Sequence, residues 1–255
     1  MKKYIIGNLK MNLLTVAERE RYLDSVGTEF KKSKISNSKI ILCPPIIHLE
    51  KFFERFEKTE IGAGSQDIFI EDRGSFTGET SPATVKNIGG EFSIIGHSER
   101  RKYFGETDQI VNEKIKAALR NNLQPIFCVG ESEEERKNDL TFGVLEKQLR
   151  EGLLDVSAFK ADKIIIVYEP IWAVGTDNIP AGDVIMEVKI LIRKILTDMY
   201  SNEIAEKMPI LYGGSVNSKS VMQVCVEPRM DGVLVGRESL IPVEFLKIAG
   251  VIDNN

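Results

Sequence analysis

Short runs of β-branched and other apolar residues return eight times along this 255-residue chain, and each is followed by a longer stretch with helical spacing. The runs lie at 4–9, 39–43, 60–63, 92–95, 125–129, 163–168, 209–212 and 232–235. The helical stretches are expected around 17–30, 46–57, 82–87, 108–120, 133–152, 183–200, 219–226 and 243–249. Ser81-Pro82 starts the third of them, a capping hydroxyl followed by proline at the first helical position. Within the runs the apolar residues are continuous, as in Ile164-Ile165-Ile166-Val167, and do not alternate with polar ones. A strand that is apolar at every position is covered on both faces, as in a parallel sheet flanked by helices. Eight strand–helix units in about 250 residues fit a closed (β/α)8 barrel. An open doubly wound sheet shares the alternation. It is disfavoured because Gly7-Asn8-Leu9-Lys10, and no Gly-x-Gly-x-x-Gly turn, follows the first run. No low-complexity linker or composition shift divides the chain. The expectation is an α/β protein forming one single-domain barrel over residues 1–255.

Composition narrows the function classes. Hydrophobic residues make up 42% and charged residues 28%, the balance of a globular protein. A net charge of −4 argues against a nucleic-acid partner or an anionic membrane surface, although one small anion in a local pocket remains compatible with it. Cys43, Cys128 and Cys225 are far apart and lie in or beside apolar runs, so they read as buried reduced thiols of a reducing compartment. With only two histidines, His48 and His97, and no clustered ligand spacing, no metal site is expected. The apolar stretch Tyr4-Ile5-Ile6 is too short for a signal-peptide core, and no run is long enough to span a bilayer. A cytoplasmic location is expected.

In a barrel of this kind chemistry gathers where strands end, because the loops that follow converge on one mouth. The first run ends in Asn8-Leu9-Lys10, which brings a cation and a hydrogen-bonding amide to that mouth; alone, such a lysine reads as solvated. The fourth ends in Gly96-His97-Ser98-Glu99-Arg100-Arg101, a histidine opening a polar, helical turn. A helix N-terminus disfavours the imidazolium, so His97 reads as a neutral donor, or else as a structural histidine tied to local backbone. His48, within a helix, reads as structural. The sixth run ends in Tyr168-Glu169-Pro170, a general-base candidate or an exposed loop carboxylate. It leads into Ile171-Trp172-Ala173-Val174-Gly175-Thr176, an apolar loop that reads as a lid over a ligand or as core packing around the only tryptophan. The seventh and eighth end in Tyr212-Gly213-Gly214-Ser215 and Val235-Gly236-Arg237, turns suited to cupping a phosphate.

Taken together, in this order and each at a different strand end, these segments resemble the triosephosphate isomerase family from Gly7 to Leu240. The resemblance implies an aldose–ketose isomerase of glycolysis and gluconeogenesis that interconverts dihydroxyacetone phosphate and D-glyceraldehyde 3-phosphate through an enediol(ate), without cofactor or metal. This family is itself the standard example of a carboxylate base paired with a neutral histidine, so those roles are carried over to Glu169 and His97 rather than derived. By the same resemblance Lys10 supplies a positive charge that binds substrate and stabilises the developing oxyanion, Asn8 helps bind and orient the substrate, and Glu99 is a supporting carboxylate. Phosphate is held by backbone groups at Gly175, Ser215, Gly236 and Arg237. The segment Gly74-Ser75-Phe76-Thr77-Gly78-Glu79 resembles the family's protruding third loop, which implies a homodimer with Thr77 approaching the partner's site.

Three departures stand against the family pattern: Leu9 in place of a common tryptophan, Asp177-Asn178-Ile179-Pro180 at the end of the lid, and Arg237-Glu238 in place of Gly-Ala. They leave two alternatives open: a related isomerase of a four-carbon ketose phosphate (a tetrulose phosphate), or a non-catalytic phosphate-binding barrel.

Overall fold

Strands that are apolar on both faces have no solvated side to offer, and the sheet they build here has no free edge. The computed structural model describes residues 2–176 and 178–255. In it eight parallel strands close in chain order, with β8 pairing back onto β1 through Tyr4 and Gly232, Ile5 and Val233, Ile6 and Leu234, and Gly7 and Val235. The order is β1 (Lys3–Asn8), α1 (Val16–Ser33), β2 (Ser38–Cys43), α2 (Ile46–Phe56), β3 (Ile61–Ser65), α3 (Pro82–Asn87) and β4 (Phe92–Ile95). Then follow α4 (Ser98–Phe104), α5 (Asp108–Arg120), β5 (Gln124–Val129), α6 (Glu133–Lys137), α7 (Thr141–Gly152), α8 (Ala158–Ala161) and β6 (Ile165–Tyr168). The chain closes with α9 (Gly182–Met199), α10 (Asn202–Lys207), β7 (Ile210–Tyr212), a short π-helix (Met222–Val226), β8 (Gly232–Val235) and α11 (Pro242–Asp253).

Alternate strand residues feed two cores, as the two-residue period of a strand requires. Ile6, Ile41, Cys43, Ile94, Ile126, Cys128, Ile165, Val167, Leu211 and Leu234 form one buried cluster. Their chain neighbours Ile5, Ile40, Leu42, Ile95, Phe127, Ile166 and Tyr168 pack into the larger cluster that includes the helices. The three cysteines are free and buried, and burial pushes the Cys225 thiol up to about 12 and the other two upward as well. No helix among the described residues is long and apolar enough to cross a membrane.

All eight expected runs form strands, with ends shifted by a residue or two. The helices differ more. The stretch expected over 133–152 is two helices, α6 and α7, separated at Asn138, Asp139 and Leu140, where Asp139 takes a left-handed φ of 57°. Ser132 caps α6 with a reciprocal Glu135 bond, so that short helix is a unit of its own. The stretch expected over 219–226 is a turn running into the π-helix, and α8 and α10 are additions. Of the expected lid end 177–180, Asp177 lies outside the described residues.

Candidate active site

The strand ends form a single mouth, and there β4 and β6 bring a histidine and a carboxylate together. After Ile95 the chain turns at Gly96, whose φ of +73° favours glycine, and His97 becomes the N-cap of α4. Its Nδ1 accepts the Glu99 backbone N–H at 3.2 Å, which leaves the ring proton on Nε2. That Nε2 lies 3.0 Å from Glu169 Oε1, while Glu169 Oε2 accepts the Ser98 N–H at 2.9 Å. Both side chains are buried, with His97 5% and Glu169 2% exposed. The Glu169 backbone is seated by its N–H bond to the Val129 carbonyl at 2.7 Å. It also needs Gly130, where a β-carbon would fall 1.9 Å from the Glu169 carbonyl oxygen.

This contact alters the electrostatics expected of His97. Burial acts against the imidazolium, but the charge of Glu169 and the hydrogen bond to it outweigh burial, and the ring is held above its ordinary value. For Glu169, burial acts against the carboxylate; the charge and hydrogen bond of His97, with the Ser98 N–H, overcome it and hold the carboxyl below its ordinary value. The sequence-based expectation of a neutral ring weighed only the helix N-terminus and lacked the carboxylate. Glu99's N–H still supports the neutral tautomer with its proton on the face toward Glu169.

Lys10 reaches the same mouth from β1. It has a left-handed φ of 51°, uncommon for a side-chain-bearing residue, and its backbone is tied down on both sides. Its N–H donates to Asn8 Oδ1 at 3.1 Å, and its carbonyl accepts from Gln66 Nε2 at 2.9 Å. The ammonium pairs with Glu99 Oε1 at 2.5 Å, so the carboxylate next to His97 also fixes the direction of the lysine. His48 is structural, as expected: Nε2 lies 2.8 Å from the Leu13 carbonyl and steadies the loop after Lys10.

The apolar loop after Glu169 begins as one tight turn over Ile171–Ala173. Its anchor is Glu131, a fully buried carboxylate whose Oε1 accepts from Trp172 Nε1 at 2.9 Å and from the Tyr168 hydroxyl at 3.0 Å. Arg136 stacks over the Trp172 ring at 4.6 Å. Ser215 donates its backbone N–H to the Ala173 carbonyl at 3.2 Å, so a phosphate-holding N–H expected of it is engaged with this loop. Arg237 is exposed and donates to the Gly175 carbonyl. A cavity of about 370 Å³ is lined by Asn8, Lys10, His97, Glu169, Gly175, Ser215, Gly236 and Arg237, so the expected catalytic and substrate-binding residues face one space, with Glu99 outside it. That is the size of a small-molecule pocket.

Sequence reasoning missed Gln66, Gly130 and Glu131. Gln66 directly follows a strand that reads Gly-Ala-Gly-Ser, a strand-end signal of the kind that identified Asn8. Glu131 stands before Ser132-Glu133-Glu134-Glu135 and reads as one more solvated acid.

The chain is similar to known proteins over nearly its whole length. A family model described as triosephosphate isomerase matches residues 3–252. A triosephosphate isomerase of Endomicrobium trichonymphae is 43% identical over 247 residues, 97% of each chain. One from Dictyoglomus thermophilum is 42% identical over 247 residues, covering 97% of this chain and 98% of its own. Among solved structures, a triosephosphate isomerase from Bartonella henselae superposes with a TM-score of 0.88 at 32% identity, over 99% of both chains.

Proposed function

The chain belongs to the triosephosphate isomerase family, and from that premise we propose how its residues carry the reaction. The protein is an isomerase that interconverts dihydroxyacetone phosphate and D-glyceraldehyde 3-phosphate. Glu169 takes the proton from the carbon beside the substrate carbonyl and returns it to the neighbouring carbon. His97 polarises the carbonyl through Nε2–H and passes a proton between the two oxygens of the enediol(ate). The Lys10 ammonium, aimed by Glu99, stabilises the oxyanion as it forms, and Asn8 holds the Lys10 backbone in its left-handed turn. Backbone groups at Gly175, Gly236 and Arg237 hold the phosphate under the loop that starts at Ile171, and Ser215 joins them once its N–H leaves the Ala173 carbonyl. No group outside the chain is needed for these proton transfers.

The observation that carries this reading is convergence: base, proton donor and cation come from β6, β4 and β1 and line one cavity with the phosphate cup. A binding barrel would need the cup alone. A coupled assay on triose and tetrulose phosphates tests the assignment. The expected result is turnover with kcat/KM favouring the triose; a large preference for the four-carbon sugar overturns it.

The single barrel over residues 1–255, a cytoplasmic location and a homodimer through the third loop around Thr77 are further parts of the proposal. The buried thiols support a reducing compartment. Exposed apolar side chains support the dimer: Met11 and Phe104, 87% and 68% exposed on the single chain, line one cavity with Gly78 and Glu79 of that loop, and Leu14 and Ile47 are each 80% exposed.

A further inference from the structure

The proposed phosphate cup is built of backbone groups, yet this chain adds a guanidinium to it. Arg237 follows Gly236 at the end of β8 and lies exposed at the rim of the cavity. Its Nη2 donates to the Gly175 carbonyl at 3.1 Å, joining residues 62 apart in the chain. Among the described residues its one side-chain hydrogen bond is to Gly175, and it has no ion pair there. A guanidinium carries five N–H donors in one plane, and a single bond to Gly175 leaves the others for a second acceptor.

A second observation explains why that charge would matter. The next residue, Glu238, lines the same cavity and likewise has no ion-pair partner among the described residues. A carboxylate beside a phosphate dianion is repulsive, increasingly so where solvent is excluded. Lys10, the other cation lining the cavity, is already paired with Glu99.

We propose that the Arg237 side chain is a phosphate-positioning residue. It takes the dianion and the Gly175 carbonyl on one planar fork, so that phosphate recognition and the placement of Gly175 over the cup are a single event. The inference rests on the phosphate-cup reading above and goes beyond it, because that reading uses only the backbone of Arg237. The grip is the same in substrate and transition state, so it acts on binding more than on the chemical step.

The test uses inorganic phosphate as probe and Trp172, the only tryptophan and three residues before Gly175, as the fluorescent reporter. Arg237→Ala is expected to weaken phosphate binding about tenfold, the low end for an exposed charged hydrogen bond. It is expected to raise KM for the triose phosphate by a similar factor, with kcat within about threefold of the parent. Arg237→Lys keeps the charge without the fork and is expected to recover only part of that affinity. Unchanged phosphate affinity and KM in Arg237→Ala overturn the proposal. So does full recovery by lysine, which would reduce the fork to a charge, and so does a loss confined to kcat. If Arg237→Ala unfolds, Arg237→Lys alone decides, with parental affinity again the overturning result. A parent chain that does not turn over the triose phosphate would instead count against the functional reading.

Discussion

The contact that most shapes this site is a single one, His97 Nε2 against Glu169 Oε1. Glu169 holds the histidine above its ordinary value of 6.5, and the histidine helps hold the carboxyl below 4.5. A raised histidine contributes stability that is fully present below 6.5 and lost as pH rises through the raised value. A depressed carboxyl contributes stability present above 4.5 and lost as pH falls through the depressed value. The two statements describe one interaction, so its contribution is largest between about pH 4.5 and 6.5. Glu169→Gln removes the carboxylate charge that most raises His97 and leaves only Glu99, the smallest influence, to oppose burial and Lys10, which lower it. The expected NMR titration therefore shows the His97 pKa falling in the variant, whereas an unmoved pKa would contradict this electrostatic account. Each partner was legible on its own, because a polar residue directly after an apolar strand stands out. Their contact was not, because the elements that carry them are distant in the chain. Glu131 was illegible for a different reason: its burial is imposed by Tyr168 and Trp172, and nothing in its own acidic surroundings announces it.

At the scale of elements, the strands were easier to read than the helices. Continuous apolar runs with sharp polar ends have one interpretation in a parallel sheet, and each became a strand. Helix-forming side chains run through 133–152 without an apolar gap, so the break around Asp139 was visible only as the weak turn pair Asn138-Asp139. Where two strands end, packing is close enough to test. Gly130 follows β5 and lies against the backbone that carries Glu169, and a methyl there meets the carbonyl oxygen at 1.9 Å and its carbon at 2.6 Å. A backbone contact cannot rotate away as a side chain would. Gly130→Ala is therefore expected to displace the end of β6, lowering kcat at least about tenfold, since a base displaced by about an ångström loses its alignment. It is also expected to destabilise the fold by about 1–3 kcal/mol in urea titrations. A variant with parental kcat and stability would show that the two strand ends are not in the contact described.

The whole molecule is a barrel whose mouth gathers the expected catalytic and substrate-binding residues, while several apolar side chains beyond its strand ends stay in solvent. Met11 and Leu14 follow β1, Ile47 lies on α2 and Phe104 ends α4. If the third loop of a second copy covers them, light scattering gives a mass of twice 28.6 kDa. Ile47→Lys is then expected to shift the protein toward monomer and to lower activity with it; a fully active monomer in the parent would contradict the dimer. The account as a whole depends on the Glu169 carboxylate in that mouth acting as a base. The most direct measurement is kcat of Glu169→Gln against the parent in the coupled triose phosphate assay, with inorganic phosphate affinity measured in parallel. The expected result is a loss of about 10²–10⁴-fold in kcat with phosphate affinity largely retained. Parental kcat in the variant would contradict the assignment of Glu169 and, with it, the mechanism built around it.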